Sequence, residues 1–243
     1  MSTFYVVATP IGNMEDITLR ALKVLGLVDV VLCEDTRVTK KLFARHNIST
    51  RVLSYHAHSK ISRVNDVIAL LREGKNVALV SDAGTPGISD PGAELVSILR
   101  RDMAVELIEG LLKIESVPGA SALTGALSIA GVPCADFVFL GFLPHKKGRE
   151  TLFKEIASSE RTCIFYESPH RIMKTLESLV MFIGNVDGAD EADGAKKTKR
   201  VTICRELTKI FEEVVSGTPD EALAYFTTHT DKVRGEFVVI VSN

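Results

Sequence analysis

The chain lacks an excess of charge of either sign: 29 Lys and Arg stand against 31 Asp and Glu, leaving a net charge of −2. No bulk electrostatic signature for nucleic acid exists, so any RNA or DNA contact has to use a local patch. Cysteine is scarce. Cys33, Cys134, Cys163 and Cys204 lie far apart, with no C-x-x-C and no matching histidine spacing, which argues against a zinc site or a disulfide framework. Each follows or lies within an apolar run, so the expectation is four buried thiols in a reducing cytoplasm. Long hydrophobic runs are missing too. The uncharged window Ser116 to Ala135 is about as long as a membrane span, but Pro118, Gly119 and Pro133 break it, and a membrane helix is rejected. The opening "MSTFYVVATP" has no basic leader and reads as a first strand, not a signal peptide. Tryptophan is absent, which by itself excludes nothing.

What is present is ordinary for a globular protein: 46% apolar and 25% charged residues over 243 positions, enough for two medium cores. Short β-branched runs alternate with helical patterns: "FYVVAT", "ITLRALKVLG", "VDVVLCED", "TRVTKKLFARHN", "RVLSYH", "RVNDVIALLREG", "NVALVSD". That alternation predicts βαβ units and a mostly parallel sheet. "AELVSILRRDMAVELIEGLLK" reads as helix, with Val105 to Ile108 also compatible with strand, and "IESVPG" as the last strand of a first domain. The pattern changes at Pro118-Gly119, so the domains are drawn as 1–118 and 119–243. In the second, strands such as "DFVFLGFLP", "TCIFYES", "KRVTICREL" and "GEFVVIVS" are joined by helices and by short connections, which predicts a mixed α/β sheet. Residues 185–198, acidic and then basic, read as a loop.

Ligands of open parallel sheets sit outside the carboxyl ends of the strands. The unusual residues cluster there: "ATPIGN" after the first strand, "CEDTR" after the second, "SDAGTPGISDPG" after the fourth and "VPGASAL" at the domain junction. A plain turn needs one or two Gly or Pro residues, so the third of these suggests backbone shaped around a ligand. Gly87 and Gly92 have P-loop spacing, yet Ala93-Glu94 replaces the Lys-Ser/Thr pair, and no G-x-G-x-x-G follows a strand. What remains is a ligand held by close backbone approach without a phosphate cradle.

Taken in order, "ATPIGNMEDITLRAL", "CEDTR", "SDAGTPGISDPG", "VPGASAL", "FLGFLP", "FYESPHRI", "RELTK" and "GEFVVIV" resemble the tetrapyrrole methylase superfamily over nearly the whole chain. Within it they are similar to the branch that methylates a cytidine ribose 2′-hydroxyl in small-subunit ribosomal RNA. "TPIGN" and "SDAGTP" stand where the small-molecule branch usually has a glycine-rich loop with an acid and a Gly-Gly-Asp-Pro pattern. Many members also continue beyond "GEFVVIV" into a small helical extension implicated in RNA engagement.

The resemblance implies S-adenosyl-L-methionine as cofactor, held in the cleft between two α/β domains, together with a cytoplasmic homodimer and no metal. It implies that Ala83, Gly84, Thr85, Pro86 and Ile88 form the cofactor wall, with Asp82 and Asp90 orienting the turn or accepting hydrogen bonds. Pro10 would close the methionine side. Ser121 and Ala122 would lie near the sulfonium or carboxylate, although Ser121 also suits a helix N-cap. Tyr166, Glu167, Leu207, Thr208, Gly235 and Glu236 match positions lining the adenosine, with a plain core role open for Tyr166.

The reaction then needs an in-line nucleophile and a base for a weakly acidic hydroxyl. Glu34, Asp35, Glu167, His170, Glu206 and Lys209 are the candidate bases. The favoured segment is "EDTR", with Asp35 as base or orienter, Glu34 beside it and Arg37 gripping a phosphate; a structural Asp35–Arg37 pair is the alternative. For RNA the chain offers Lys146, Lys147 and Arg149, then His170 with Arg171, "KKTKR" at 196–200, and Lys40, Lys41 and Arg45. Such contacts give affinity without base specificity. Two other readings stay open: a small-molecule methylase of the tetrapyrrole type, and a non-catalytic RNA-binding protein with the same fold.

Overall fold

The computed structural model describes residues 1–55, 61–90, 92–184 and 199–243, and the chain divides into two compact units, Met1–Ser121 and Ala122–Asn243. The first holds five strands, β1 (Ser2–Val7), β2 (Val30–Cys33), β3 (Arg51–Ser54), β4 (Val77–Leu79) and β5 (Leu112–Val117), in the order β3-β2-β4-β1-β5. Every pairing is parallel. The connecting helices are α1 (Leu19–Leu27), α2 (Thr36–Arg45), α3 (Ile61–Arg72), α4 (Gly92–Asp102) and α5 (Ala104–Ile108).

The continuous apolar strands are explained by burial on both faces. Val30, Leu32, Val77 and Leu79 pack with α3 and α4 residues such as Val67, Leu71, Leu95 and Leu99. Val31, Cys33, Ala78 and Val80 point the other way, onto Ala21 and Leu25 of α1 and Phe43 of α2. The alternation follows the two-residue period of a strand. Helix starts are written locally: Thr18 Oγ1 accepts the Ala21 N–H at 3.0 Å, and Asp35 caps α2 by accepting the Arg37 N–H at 2.8 Å. The stretch from Ala93 is not one helix. It breaks at Met103, Val105 to Ile108 are helical, Gly110 turns the chain with φ +71°, and Leu112-Lys113 already belong to β5.

The second unit holds β6 (Phe137–Phe142), β7 (Thr162–Glu167), β8 (Arg200–Arg205), β9 (Glu213–Gly217) and β10 (Phe237–Ser242), in the order β6-β7-β10-β8-β9. Only β6 and β7 are parallel, so this sheet is mixed. Helices α7 (Arg149–Ser158), α8 (Ile172–Leu179) and α9 (Pro219–Thr228) cover one face through Phe153, Ile156, Leu176, Leu179 and Phe226. Helix α6 (Ala122–Ala130) packs on β8 and β10. A capping box starts α9, in which Thr218 and Glu221 exchange hydrogen bonds and Pro219 occupies the first turn.

Cys33, Cys163 and Cys204 are buried, but Cys134 is exposed, which corrects the expectation for that thiol. It sits in the loop between α6 and β6, among exposed residues 133–136. The acidic-basic segment 185–198, including Lys196, Lys197 and Thr198 of "KKTKR", lies outside the described residues. Among the described residues no helix is long and apolar enough to cross a membrane.

Candidate active site

In the first unit the loops after β1, β2, β4 and β5 are stitched together at the carboxyl ends of the strands. Thr9 and Gly84 form an isolated antiparallel bridge, Thr9 N–H to Gly84 O at 2.9 Å and Gly84 N–H to Thr9 O at 3.1 Å. The Thr9 hydroxyl donates to Ser81 O at 3.0 Å, and the Ser81 hydroxyl donates to Gly84 O at 3.1 Å. Thr85 Oγ1 donates to Ala120 O at 3.0 Å, which adds the loop after β5. Asp82 Oδ1 accepts the Asp35 N–H at 2.9 Å, which adds the loop after β2.

Glycine is required at position 84 for two reasons. Its φ is +86°, and a Cβ there would come within 3.3 Å of Ile11 Cγ2. The glycine thus serves the contact between loops. Asp90 closes the turn by accepting the N–H groups of Gly87 and Gly92, both at 2.7 Å. Ser89 sits at φ +64°, unusual for a residue with a side chain. Pro10, Gly84 and Pro86 are buried, Thr85 is half-buried, and Asp82, Ala83 and Ile88 are exposed. Ser121 ends the first unit, and Ala122 opens α6 in the second.

Glu34, Asp35 and Arg37 lie at the end of β2. The Asp35 carboxylate takes the Arg37 amide and also its guanidinium, with Nη2 to Oδ2 at 2.6 Å. That ion pair raises the Arg37 pKa, although arginine is cationic at any working pH. The Arg37 side chain remains 86% exposed, so the pair aims a guanidinium outward from a fixed strand end. Beyond it along α2, Lys40, Lys41 and Arg45 are exposed and form no ion pair among the described residues. Residues 37, 41 and 45 are spaced by one helical turn and share a face.

The second unit gathers different residues. The Glu167 carboxylate is wholly buried and accepts Arg171 Nη2 at 2.8 Å, Thr175 Oγ1 at 2.7 Å and the Ser168 N–H at 2.8 Å, with Arg149 Nη1 at 3.8 Å. Arg171 also donates to Leu143 O at 2.8 Å, and Arg149 to Pro144 O at 3.3 Å and Thr175 Oγ1 at 2.7 Å. Burial pushes the Arg149 guanidinium down and Glu167 opposes it. Glu167 is therefore turned inward and held by these internal partners. Arg149 and Arg171, expected as phosphate contacts, are mostly buried and hold a loop in place, while Lys146, Lys147 and His170 are exposed. Lys199 is likewise buried, donating to Asn243 Oδ1 at 2.8 Å.

Tyr166 packs edge-on against Phe139 and Phe142. Leu207 is buried and Thr208 half-buried in a loop where Glu206 and Thr208 take positive φ of 52° and 65°. Lys209 joins Glu206 at 2.8 Å to Glu236 at 2.7 Å, and a Cβ on Gly235 would strike the Glu206 side chain at 2.3 Å. Lys209 and Glu206 thus neutralise each other. Arg205, which the motif reading passed over, holds both loops by donating to Phe211 O at 3.2 Å and Arg234 O at 3.4 Å. Thr9 and Ser81 were missed as well; their signal was a hydroxyl residue at the end of each of two adjacent buried strands.

The first unit is thus an all-parallel sheet whose strand-end loops are hydrogen-bonded to one another, and the second a mixed sheet. The family model for tetrapyrrole (corrin/porphyrin) methylases matches residues 3–223, and the chain belongs to this family. A ribosomal RNA small subunit methyltransferase I from Halalkalibacterium halodurans is 43% identical over 98% of this chain and 75% of its own. One of the same name from Thermotoga maritima is 40% identical over 100% and 99%. Among solved structures, a cobalt precorrin-4 methyltransferase matches with a TM-score of 0.62 and 20% identity over 99% of this chain and 94% of its own. A uroporphyrin-III-C-methyltransferase from Thermus thermophilus matches with 0.63, 20%, 99% and 94%. At that identity they show the shared fold.

Proposed function

We propose that the protein is an S-adenosyl-L-methionine-dependent methyltransferase acting on the 2′-oxygen of a cytidine ribose in small-subunit ribosomal RNA, in the cytoplasm and as a homodimer. The observation that carries the RNA assignment is the exposed basic face of α2, which begins at Arg37 on the same strand end that Asp82 ties to the glycine loop. Relatives of about 40% identity bear the corresponding name.

The loop residues fit the cofactor. Ala83 and Ile88 are exposed and Thr85 is half-buried beside Gly84, so the loop offers small and apolar surface, the surroundings an adenosine and a sulfonium need. Pro10 and Ser121, with Ala122 next to it in the chain, complete this set. When bound, S-adenosylmethionine supplies a methyl group already activated on sulfur. Asp35 orients Arg37, which grips a phosphate beside the target ribose. Glu34, adjacent on the same strand end, takes the proton from the 2′-hydroxyl. Lys41, Arg45, Lys146, Lys147 and His170 supply phosphate contacts.

The test is transfer of labelled methyl to purified small ribosomal subunits and to free ribosomal RNA, followed by nucleoside analysis. Labelled 2′-O-methylcytidine is expected. Cofactor binding without transfer to either RNA would overturn the substrate and favour a small-molecule methylase.

A further inference from the structure

Strand β6 is an edge strand, and an apolar ring exposed on an edge needs a reason. Phe142 is 55% exposed. Its position comes from a bulge: Phe139 pairs with Ile164 and Phe142 with Tyr166, so β6 spends one extra residue against β7. Gly141, at φ +60°, supplies the turn. A bulge of this kind re-aims a side chain. Tyr166 packs edge-on against the ring, with centroids 5.4 Å apart.

The chain that follows Phe142 is fixed from inside. Arg171 holds Leu143 O and Arg149 holds Pro144 O, and both arginines lead back to the buried Glu167. The next residues, His145, Lys146 and Lys147, are exposed, and the two lysines form no ion pair among the described residues. An exposed aromatic on a rigid support, followed directly by unpaired cations, has the chemistry of a single-strand nucleic-acid platform: bases stack on the ring while phosphates meet the lysines. A purely apolar partner would leave those cations without complement.

We infer that Phe142 is a base-stacking platform for a single-stranded RNA segment, and that Glu167, through Arg149 and Arg171, is the positioning residue that fixes it. This rests on the RNA reading above. The absence of tryptophan provides the probe, because Phe142→Trp introduces a unique fluorophore at the site. Its emission is expected to be quenched by oligocytidylate and by small ribosomal subunits. Phe142→Ala should raise KM for subunits by at least about fivefold, with F142W restoring it. Cofactor affinity by calorimetry and oligomeric state by sedimentation should not change. F142W emission indifferent to subunits that the enzyme methylates, or an unchanged KM in F142A, would overturn the inference. A changed oligomeric state in F142A would also overturn it, by assigning the ring to a second copy of the chain. If the parent methylates neither RNA, the functional reading fails, and quenching by oligocytidylate still decides the stacking site by itself.

Discussion

Asp82 and Asp35 are 47 residues apart in sequence, and one carboxylate oxygen of Asp82 accepts the Asp35 amide at 2.9 Å. This bond fixes the end of β2 relative to the glycine loop after β4, and with it the direction of Arg37. Asparagine at position 82 retains the accepting oxygen and alanine removes it. D82N should therefore keep most of the turnover, while D82A should lose about tenfold to a hundredfold by misplacing the strand end. Single-turnover methyl transfer at saturating cofactor separates the two variants.

Gly84 cannot be exchanged without strain, because its φ of +86° is one that side chains rarely adopt and a Cβ would press on Ile11 Cγ2 at 3.3 Å. Gly84→Ala is expected to cost about 1–2 kcal/mol of stability and to weaken cofactor binding, since the Thr9 bridge has to open. Chemical denaturation reads the first effect and calorimetry the second. An alanine variant with unchanged cofactor affinity would separate the bridge from the cofactor wall.

The α2 face predicts a salt effect. Each phosphate contact releases counterions, so Lys41→Ala and Arg45→Ala should each lower the slope of log affinity for RNA against log salt by about 1. Both side chains are exposed and unpaired among the described residues, so folding stability should not move. Filter binding at several salt concentrations measures the slope.

Much of this was legible in the sequence because it is written locally. Alternating strand and helix patterns marked the parallel sheet, and Gly-Pro clusters marked the strand ends that the structure stitches together. Burial partners were not legible. Glu167, Arg149 and Arg171 look like surface charges in "FYESPHR" and "HKKGR", and only the packing of β7, α7 and α8 turns them inward. The helix expected from Ala93 onward ran too far because helical periodicity in "AVELIEGLLK" hides a glycine at positive φ that starts a strand. Cys134 follows an apolar run yet is exposed, because it falls in the loop between α6 and β6 and not in a buried element.

The thiols give a chemical readout. Native protein should react with a disulfide reagent at Cys134 first, with Cys33, Cys163 and Cys204 released only on unfolding. Burial pushes the Cys204 pKa from 9.0 up to about 11. A folded value raised above the unfolded one contributes stability that is complete below pH 9.0 and is lost as pH rises through about 11. Denaturation midpoints should fall across that window, and Cys204→Ala should flatten the slope.

The Glu167 network carries the largest expected stability effect. Its carboxylate has no solvent exposure, while the Arg149 and Arg171 side chains keep 16% and 15%. Removing the acid leaves two guanidiniums without their shared counter-charge, and breaking a buried pair from one side costs about 3–5 kcal/mol. The residual exposure of the arginines lets water reach them, so Glu167→Ala should fall near the lower end. Glu167→Gln keeps an acceptor for Arg171 or Thr175 and should lose less. A double-mutant cycle with Arg149→Met isolates the charge component: if the second substitution restores stability to E167A, the loss came from the uncompensated cation. If the losses simply add, Glu167 acts through Thr175 and the Ser168 amide, and the loop at Leu143 and Pro144 is held by other means.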